Sequence, residues 1–188
     1  MPQHTPALIV IDVQKGFQDP QWGQRNNPDA ENKIKILIDH WRINDLPIFH
    51  IQHASASENS PLHPGKPGFE MMDLVKPMNG EPVIVKKVNS AFIGTDLESR
   101  LKAAGYQTLV IAGLTTNHCV STTTRMAGNL GFETYLVEDA TAAFGRIDQN
   151  GRHYDADEIH AVSLANIHGE FAQVLTTEKI IERFPGRG

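Results

Sequence analysis

The sequence predicts an α/β fold: a three-layer, doubly wound, mostly parallel sheet of about six strands with helices on both faces. Three observations carry this. Apolar runs rich in β-branched residues recur, as at Ala7–Val13 and Thr108–Ala112, which is how strands buried on both faces read. Segments with apolar residues at helical spacing alternate with them. The chain of 188 residues is 40% hydrophobic, enough for one domain with a sizeable core, so residues 1–188 are read as a single domain.

In order, Ala7–Val13 is the first expected strand, with Asp12 interrupting its carboxyl end. Asp19-Pro20 and Asn27-Pro28 mark a loop, in which Asn27 suits an N-cap and Pro28 the first helical position. Ile34, Leu37, Ile38 and Trp41 give the following helix a core face. Leu46–His53 is the second strand. Ser55 to Gly80 is rich in Ser, Pro, Gly, His and Met without a sustained period, as lids and binding loops are; a short helix is expected around Phe69–Leu74. Pro82–Val88 is the third strand and Asn89–Gly94 a turn. Thr95-Asp96-Leu97-Glu98 has the form of a capping box, opening a helix with Leu97, Leu101 and Ala104 inward and Gly105 at its stop. Thr108–Ala112 is the fourth strand. The next helix begins near Cys119, carries Val120, Thr123, Thr124, Ala127 and Leu130, and ends at Gly131. Phe132–Val137 is the fifth strand, after which Glu138-Asp139-Ala140 starts a loop. Asp155–Glu158 caps a helix running to about His168, on which His160 and His168 take packing or hydrogen-bonding roles. Phe171–Leu175 is the last strand, and Thr177 caps a short final helix.

Composition narrows the partners. The formal net charge is −5 and no basic stripe stands out, so neither nucleic acid nor an anionic membrane is expected as a partner. The single cysteine precludes an internal disulfide and a Cys-rich metal site. Met1–Pro6 is polar, without the basic and apolar regions of a signal peptide, and no apolar run reaches membrane-spanning length. The expected location is the cytoplasm. No G-x-G-x-x-G follows the first strand and no P-loop occurs; no cofactor is expected.

The chemistry gathers in a few places. The apolar run Val110–Ala112 stops at Gly113, a polar turn follows, and Cys119 stands where a helix should begin. Such a cysteine is either a thiolate favoured by the helix start or an inert small core residue. Asp12 is either a functional carboxylate, costly to bury unpaired, or the cap of a following turn. Lys86 and Lys87 either end a strand in solvent or place one ammonium inward, since strand neighbours alternate. His50 and His53 lie three apart on a strand and so face opposite ways. That sets a shared metal site against separate polar roles; His63, in the long loop, is open in the same way. Asp12, Lys86 and Cys119 all fall at or just past the carboxyl ends of expected strands, where open parallel sheets bind ligands.

These features resemble the isochorismatase-like cysteine hydrolases, the superfamily that includes nicotinamidases and N-carbamoylsarcosine amidohydrolases. Three motifs carry the resemblance: Leu8–Phe17; Val85–Phe92 followed by Gly94-Thr95-Asp96-Leu97; and Gly113–Val120. It spans Ala7 to about Thr177. It implies an Asp–Lys–Cys triad of Asp12, Lys86 and Cys119, with Lys86 preferred to Lys87 because it stands six residues before the aromatic Phe92. It implies a cis peptide between Leu114 and Thr115, an oxyanion hole from the backbone N–H groups of Thr115 and Cys119, and a homodimer or larger homo-oligomer. Phe17, His53, Phe92, Asn117 and His118 are the expected lining of a small-molecule pocket. On this reading Lys86 and the helix start favour the Cys119 thiolate, and Asp12, ionised beside the lysine, exchanges protons with it.

Two departures shape the expectation. Isochorismatases proper cleave a vinyl ether without a cysteine nucleophile, so Cys119 points to acyl chemistry. Nicotinamidases hold a metal through Asp-x-His near the second strand; here His53 stands in the Asp position and Ser55 where the His would be, so no metal is expected. The function expected is a cysteine amidohydrolase cleaving a small amide or carbamoyl compound. An ether or ester hydrolase, and a catalytically silent binding member of the fold, are the alternatives.

Overall fold

The computed structural model describes residues 5–186; the polar Met1–His4 stretch lies outside them. The strands are β1 (Pro6–Ile11), β2 (Ile48–His53), β3 (Val83–Lys86), β4 (Thr108–Leu114), β5 (Glu133–Ala142), the two-residue β6 (Arg146–Ile147) and β7 (His153–Tyr154), and β8 (Gln173–Leu175). The helices are α1 (Ala30–Ile43), α2 (Leu97–Ala103), α3 (Ser121–Asn129), α4 (Ala156–Ala165) and α5 (Thr177–Arg183). Six strands form one parallel sheet in the order β3-β2-β1-β4-β5-β8, while β6 and β7 pair as a separate antiparallel hairpin. The chain winds outward from β1 to β3, then returns to add β4, β5 and β8 on the other side. This is the doubly wound α/β fold the sequence predicts.

Strand alternation divides the core in two. Leu8, Val10, Val110, Ala112, Tyr135 and Val137 face α1 and α5, packing on Ile34, Leu37, Ile38, Trp41 and Ile180. Ile9, Ile11, Leu109, Ile111 and Leu136 face the other way, onto Leu97, Leu101, Ala127 and Leu164. Because both faces are covered, β1 and β4 carry no exposed residue. The Trp41 indole N–H donates to Pro6 O at 3.0 Å, tying α1 to the start of β1.

Several boundaries differ from those expected. α1 starts at Ala30 with Asp29 at its N-cap, and Asn27 takes another task. Asn27 adopts φ 42°, and its amide donates to the carbonyls of Glu138 and Thr141 at 2.9 and 2.7 Å. The capping box before α2 does not form: Asp96 bonds Arg100, Glu98 bonds Lys102, and Thr95 Oγ1 donates to Ala91 O. Ala104 is exposed. In place of one helix around Phe69–Leu74 there are two 3-10 turns, Pro67–Phe69 and Asp73–Val75. β5 runs on through Glu138–Ala140 to Ala142, since Gly113 and Leu114 re-pair with Thr141 and Ala142 after a register shift. α4 ends at Ala165, short of His168, and Thr176 rather than Thr177 caps α5. β8 starts at Gln173, two residues after Phe171. The β6–β7 hairpin has strands too short to leave a periodic signal.

Candidate active site

The site is built where β1, β3 and β4 end. Asp12 follows β1 and leaves the extended backbone with φ 51°; its N–H still bonds Ile51 O at 3.0 Å. Lys86 is the last residue of β3, in register with His53 at the end of β2. Alternation on β3 buries Ile84 and Lys86 and leaves Lys87 in solvent. Cys119 lies in the π-helical turn Thr116–Val120 that leads into α3, one step earlier and more loosely wound than a simple helix start.

These side chains meet. Lys86 Nζ donates to Asp12 Oδ2 at 2.6 Å and to Cys119 Sγ at 3.2 Å, and lies 3.1 Å from His53 Nδ1. An ammonium has three protons to give, and here three acceptors surround it. Asp12 and Lys86 are buried, at 0% and 1% exposure. Asp12 Oδ1 is buried without a geometrically regular hydrogen-bond partner, although the Cys119 thiol makes a weak hydrogen-bonding interaction with this carboxylate.

Electrostatics follow from burial. It pushes Asp12 up to about 6, with Lys86 and the Cys119 thiol pulling the other way. Burial, then the charge of Asp12, pushes the Cys119 thiol up to about 12, against the pull of Lys86. Lys86 pulls towards the thiolate, as expected, but burial and the Asp12 charge outweigh it, so the charge relations favour a neutral thiol beside an ionised carboxylate at neutral pH. His53 is pushed down to about 4 by burial and by the Lys86 charge. It is a neutral ring, and because an ammonium only donates, Nδ1 accepts.

Asp12, His53 and Cys119 place ligand atoms within 4.8 Å of one another, a set that could hold a metal ion. The Lys86 ammonium already touches all three, so a cation fills that space. His50 takes no part. It is buried on the other face, 2.8 Å from Glu81 Oε2. His63 sits in the long loop, where its N–H bonds Ser60 O.

The remaining expected residues divide. The Leu114–Thr115 peptide is cis, as the resemblance implies. His118 Nδ1 lies 3.1 Å from Thr115 Oγ1, and Asn117 Oδ1 is buried with no partner. Phe92 shares the Cys119 side of the sheet, stacked on Phe132. Phe17 packs in the opposite core, in an aromatic cluster with Trp22 and Phe144. Two contributors, Gln14 and Arg146, escaped the sequence reading, whereas His160 takes the hydrogen-bonding role expected of it. Gln14 is fully buried; its amide donates to His53 O and Phe69 O and accepts from His53 N, joining the first motif to the long loop. His160 Nδ1 lies 2.9 Å from Thr116 Oγ1, bracing the turn from α4. Arg146 Nη2 reaches His118 Nδ1 at 3.3 Å. Gln14 left one usable signal, an uncharged polar residue directly after an apolar strand; the place of Arg146 depends on a contact across the fold.

Residues 6–179 match the family model described as the isochorismatase domain. The chain is 54% identical over 182 residues to the isochorismatase family protein YrdC of Bacillus subtilis (strain 168), covering 97% of each. Among solved structures it superposes with a TM-score of 0.93 on a hydrolase of the isochorismatase family from Chromobacterium violaceum, at 46% identity over 97% of this chain and 94% of the other. It also resembles N-carbamoylsarcosine amidase from Thermoplasma acidophilum, with a TM-score of 0.72 and 26% identity over 93% and 97% of the two chains.

Proposed function

The chain belongs to the isochorismatase family of hydrolases, and from that premise we propose that it is a cysteine-dependent amidohydrolase, cleaving a small amide or carbamoyl C–N bond through a thioester. The observation that carries this is the Lys86 ammonium held between Asp12 Oδ2 and Cys119 Sγ, at 2.6 and 3.2 Å. The likeness to an amidase supports the same choice of bond. Asp12 takes the thiol proton as Sγ attacks the carbonyl carbon, so the neutral thiol becomes a nucleophile only when a substrate is in place. The carbonyl π electrons move to oxygen, and the oxyanion is met by the backbone N–H groups of Thr115 and Cys119. Asp12 returns the proton to the leaving nitrogen, the C–N bond breaks, and ammonia or an amine departs. Water then gives a proton to Asp12 and attacks the thioester; the C–S bond breaks, the acid leaves, and the sulfur regains its proton. Lys86 holds the site's positive charge throughout, offsetting negative charge on sulfur and carboxylate.

A panel of small amides, carbamoyl compounds and esters, read by ammonia release and by acid production, tests this. Ammonia release should fall at least about a thousandfold in Cys119→Ala, and rapid quenching of the wild type should trap an acyl group on Cys119. Hydrolysis that persists in Cys119→Ala, or that is confined to ethers and esters, would remove the reading.

A further inference from the structure

His160 of α4 reaches the turn that carries Cys119 from outside it. Its Nδ1 lies 2.9 Å from Oγ1 of Thr116, the first residue of that turn. Of the bonds that reach a side chain of the turn from another element, this is the shortest: Lys86 stands 3.2 Å from Cys119 Sγ and Arg146 3.3 Å from His118 Nδ1. Both partners are buried, Thr116 at 0% and His160 at 9% exposure.

The other ring nitrogen fixes the direction of the bond. Asn27 Nδ2 stands 3.5 Å from His160 Nε2, but that amide has two protons and spends them on the carbonyls of Glu138 and Thr141. The Glu138 carbonyl also takes a ring N–H of His160. Nε2, beside the amide that shares this carbonyl, is the nitrogen that carries the proton. Burial lowers the His160 pKa against the pull of Asp157 and that carbonyl, so the ring is neutral and Nδ1 accepts. Thr116 Oγ1 therefore donates to it. A β-branched side chain is stiff at χ1, so holding the hydroxyl holds the Thr116 backbone too. The far end of this chain of bonds is firm. Next to Asn27, the Asn26 N–H bonds Ala143 O and its Oδ1 accepts from the Ala143 N–H at 2.7 Å, fastening the segment along the end of β5.

A π-helical turn is wider than an α-helical one and recurs at functional sites. Here its closing bond, from the Val120 N–H to Thr115 O, is 3.3 Å long, so the direction of its N–H groups depends on what braces it. We propose that His160 is a positioning residue: through Thr116 it sets the turn so that the Thr115 and Cys119 N–H groups face the oxyanion and Sγ stays against Lys86. What those groups do rests on the acyl chemistry proposed above, but the brace itself is measurable without turnover.

Two substitutions split the ring. In His160→Asn the side-chain oxygen takes the place of Nδ1 and still accepts from Thr116. In His160→Gln the amide N–H takes the place of Nε2 and keeps only the bond to Glu138. Both lose the ring and its packing, so a difference between them reads the bond to Thr116. On the best amide of the panel above, His160→Gln should lower kcat about 10- to 100-fold with KM within about twofold, while His160→Asn keeps at least about a third of kcat. Thr116→Val is nearly isosteric and tests the same bond should the His160 variants not fold. It should match His160→Gln, and the double variant should be no slower than either single one. Equal losses in the two His160 variants, additive losses in the double variant, or an undiminished kcat in Thr116→Val overturn the proposal and leave His160 a packing residue. If no amide is turned over, the nucleophile reading fails by itself, and the brace is read by NMR. The backbone amide resonances of Thr115 and Cys119 should then lie nearer their wild-type positions in His160→Asn than in His160→Gln; equal displacement in the two overturns it.

Discussion

Lys86 ties Asp12 and Cys119 together, so the sharpest predictions at the scale of single residues concern it and its neighbours. In the proposed mechanism Asp12 must be ionised to accept the thiol proton, and burial raises it to about 6. The sign follows: kcat/KM rises with pH through a limb centred near 6 and falls away below it. Lys86 lowers the Asp12 pKa, so in Lys86→Met any residual activity should show that limb at higher pH. A limb unmoved in Lys86→Met would mean that another group sets it. His53 gives a second test. Its ring is neutral, pushed down to about 4, so it adds no titration near 6.5 to the profile. His53→Ala removes one of three acceptors around the ammonium. It should lower kcat by about 10- to 100-fold through misplacement of Lys86, with KM little changed; a raised KM at constant kcat would instead make His53 a substrate contact. Much of this constellation could be read from the sequence, because strand alternation and three local motifs locate Asp12, Lys86 and Cys119. The bond from His53 to Lys86 could not be, because it depends on the register of β2 with β3. Nor could how far the thiol pKa is raised, which burial of the turn sets first and the charge of Asp12 second.

At the scale of elements, the parallel pairing of β1 with β4 fixes where Asp12 and Cys119 stand. Gly113 pairs with Ile11 and adopts φ 131°. A Cβ there would lie 2.0 Å from Ile11 O, which is strand backbone and cannot swing aside. Gly113→Ala should therefore cost more than about 4 kcal/mol of stability, or prevent folding outright. Gly131, at the end of α3, also has positive φ, at 86°, but faces open space. Gly131→Ala should cost only about 1–2 kcal/mol and leave the pH profile unchanged. Chemical denaturation of the two variants checks the contrast, and equal losses would mean that backbone conformation, not the close approach, governs Gly113. The strands and their alternation with helices were legible because each long buried strand announces itself in composition. The ends were not. Asn27 has every local property of an N-cap, yet it spends its amide on the carbonyls of β5, more than a hundred residues away in sequence. The capping box before α2 fails for a nearer reason: Asp96 and Glu98 find Arg100 and Lys102 one turn along the helix.

Across the whole molecule, the site joins the middle of the sheet to its edge, and this makes it more fragile than the fold. Asp12 and Cys119 lie beyond the ends of the fully buried strands β1 and β4, but Lys86 ends β3, a four-residue edge strand whose Val83 and Val85 are 44% and 48% exposed. Edge elements with few buried contacts open at lower free energy than the core. What pins β3 lies at its other end. Glu81, two residues before it, bonds Arg42 of α1 through both oxygens, accepts from the Met78 N–H, and meets the buried His50 at 2.8 Å. Burial works to raise Glu81, but Arg42, the Met78 N–H and His50 outweigh it and hold the carboxyl at about 2. A depressed carboxyl stabilises the fold above its unfolded pKa and loses that contribution only as pH falls towards about 2, so the clasp is fully engaged at neutral pH. Glu81→Gln, remote from the reacting atoms, should release it. In native-state hydrogen exchange, amides at the β2–β3 pairing should then exchange at least about tenfold faster, while those shared by β1 and β4 keep their protection. Activity should be lost at lower urea than far-ultraviolet circular dichroism, and the gap between the two midpoints should widen in Glu81→Gln. If the two transitions coincide in both proteins, β3 opens only with the whole domain, and Lys86 is held by the sheet itself rather than by the clasp at the start of its strand.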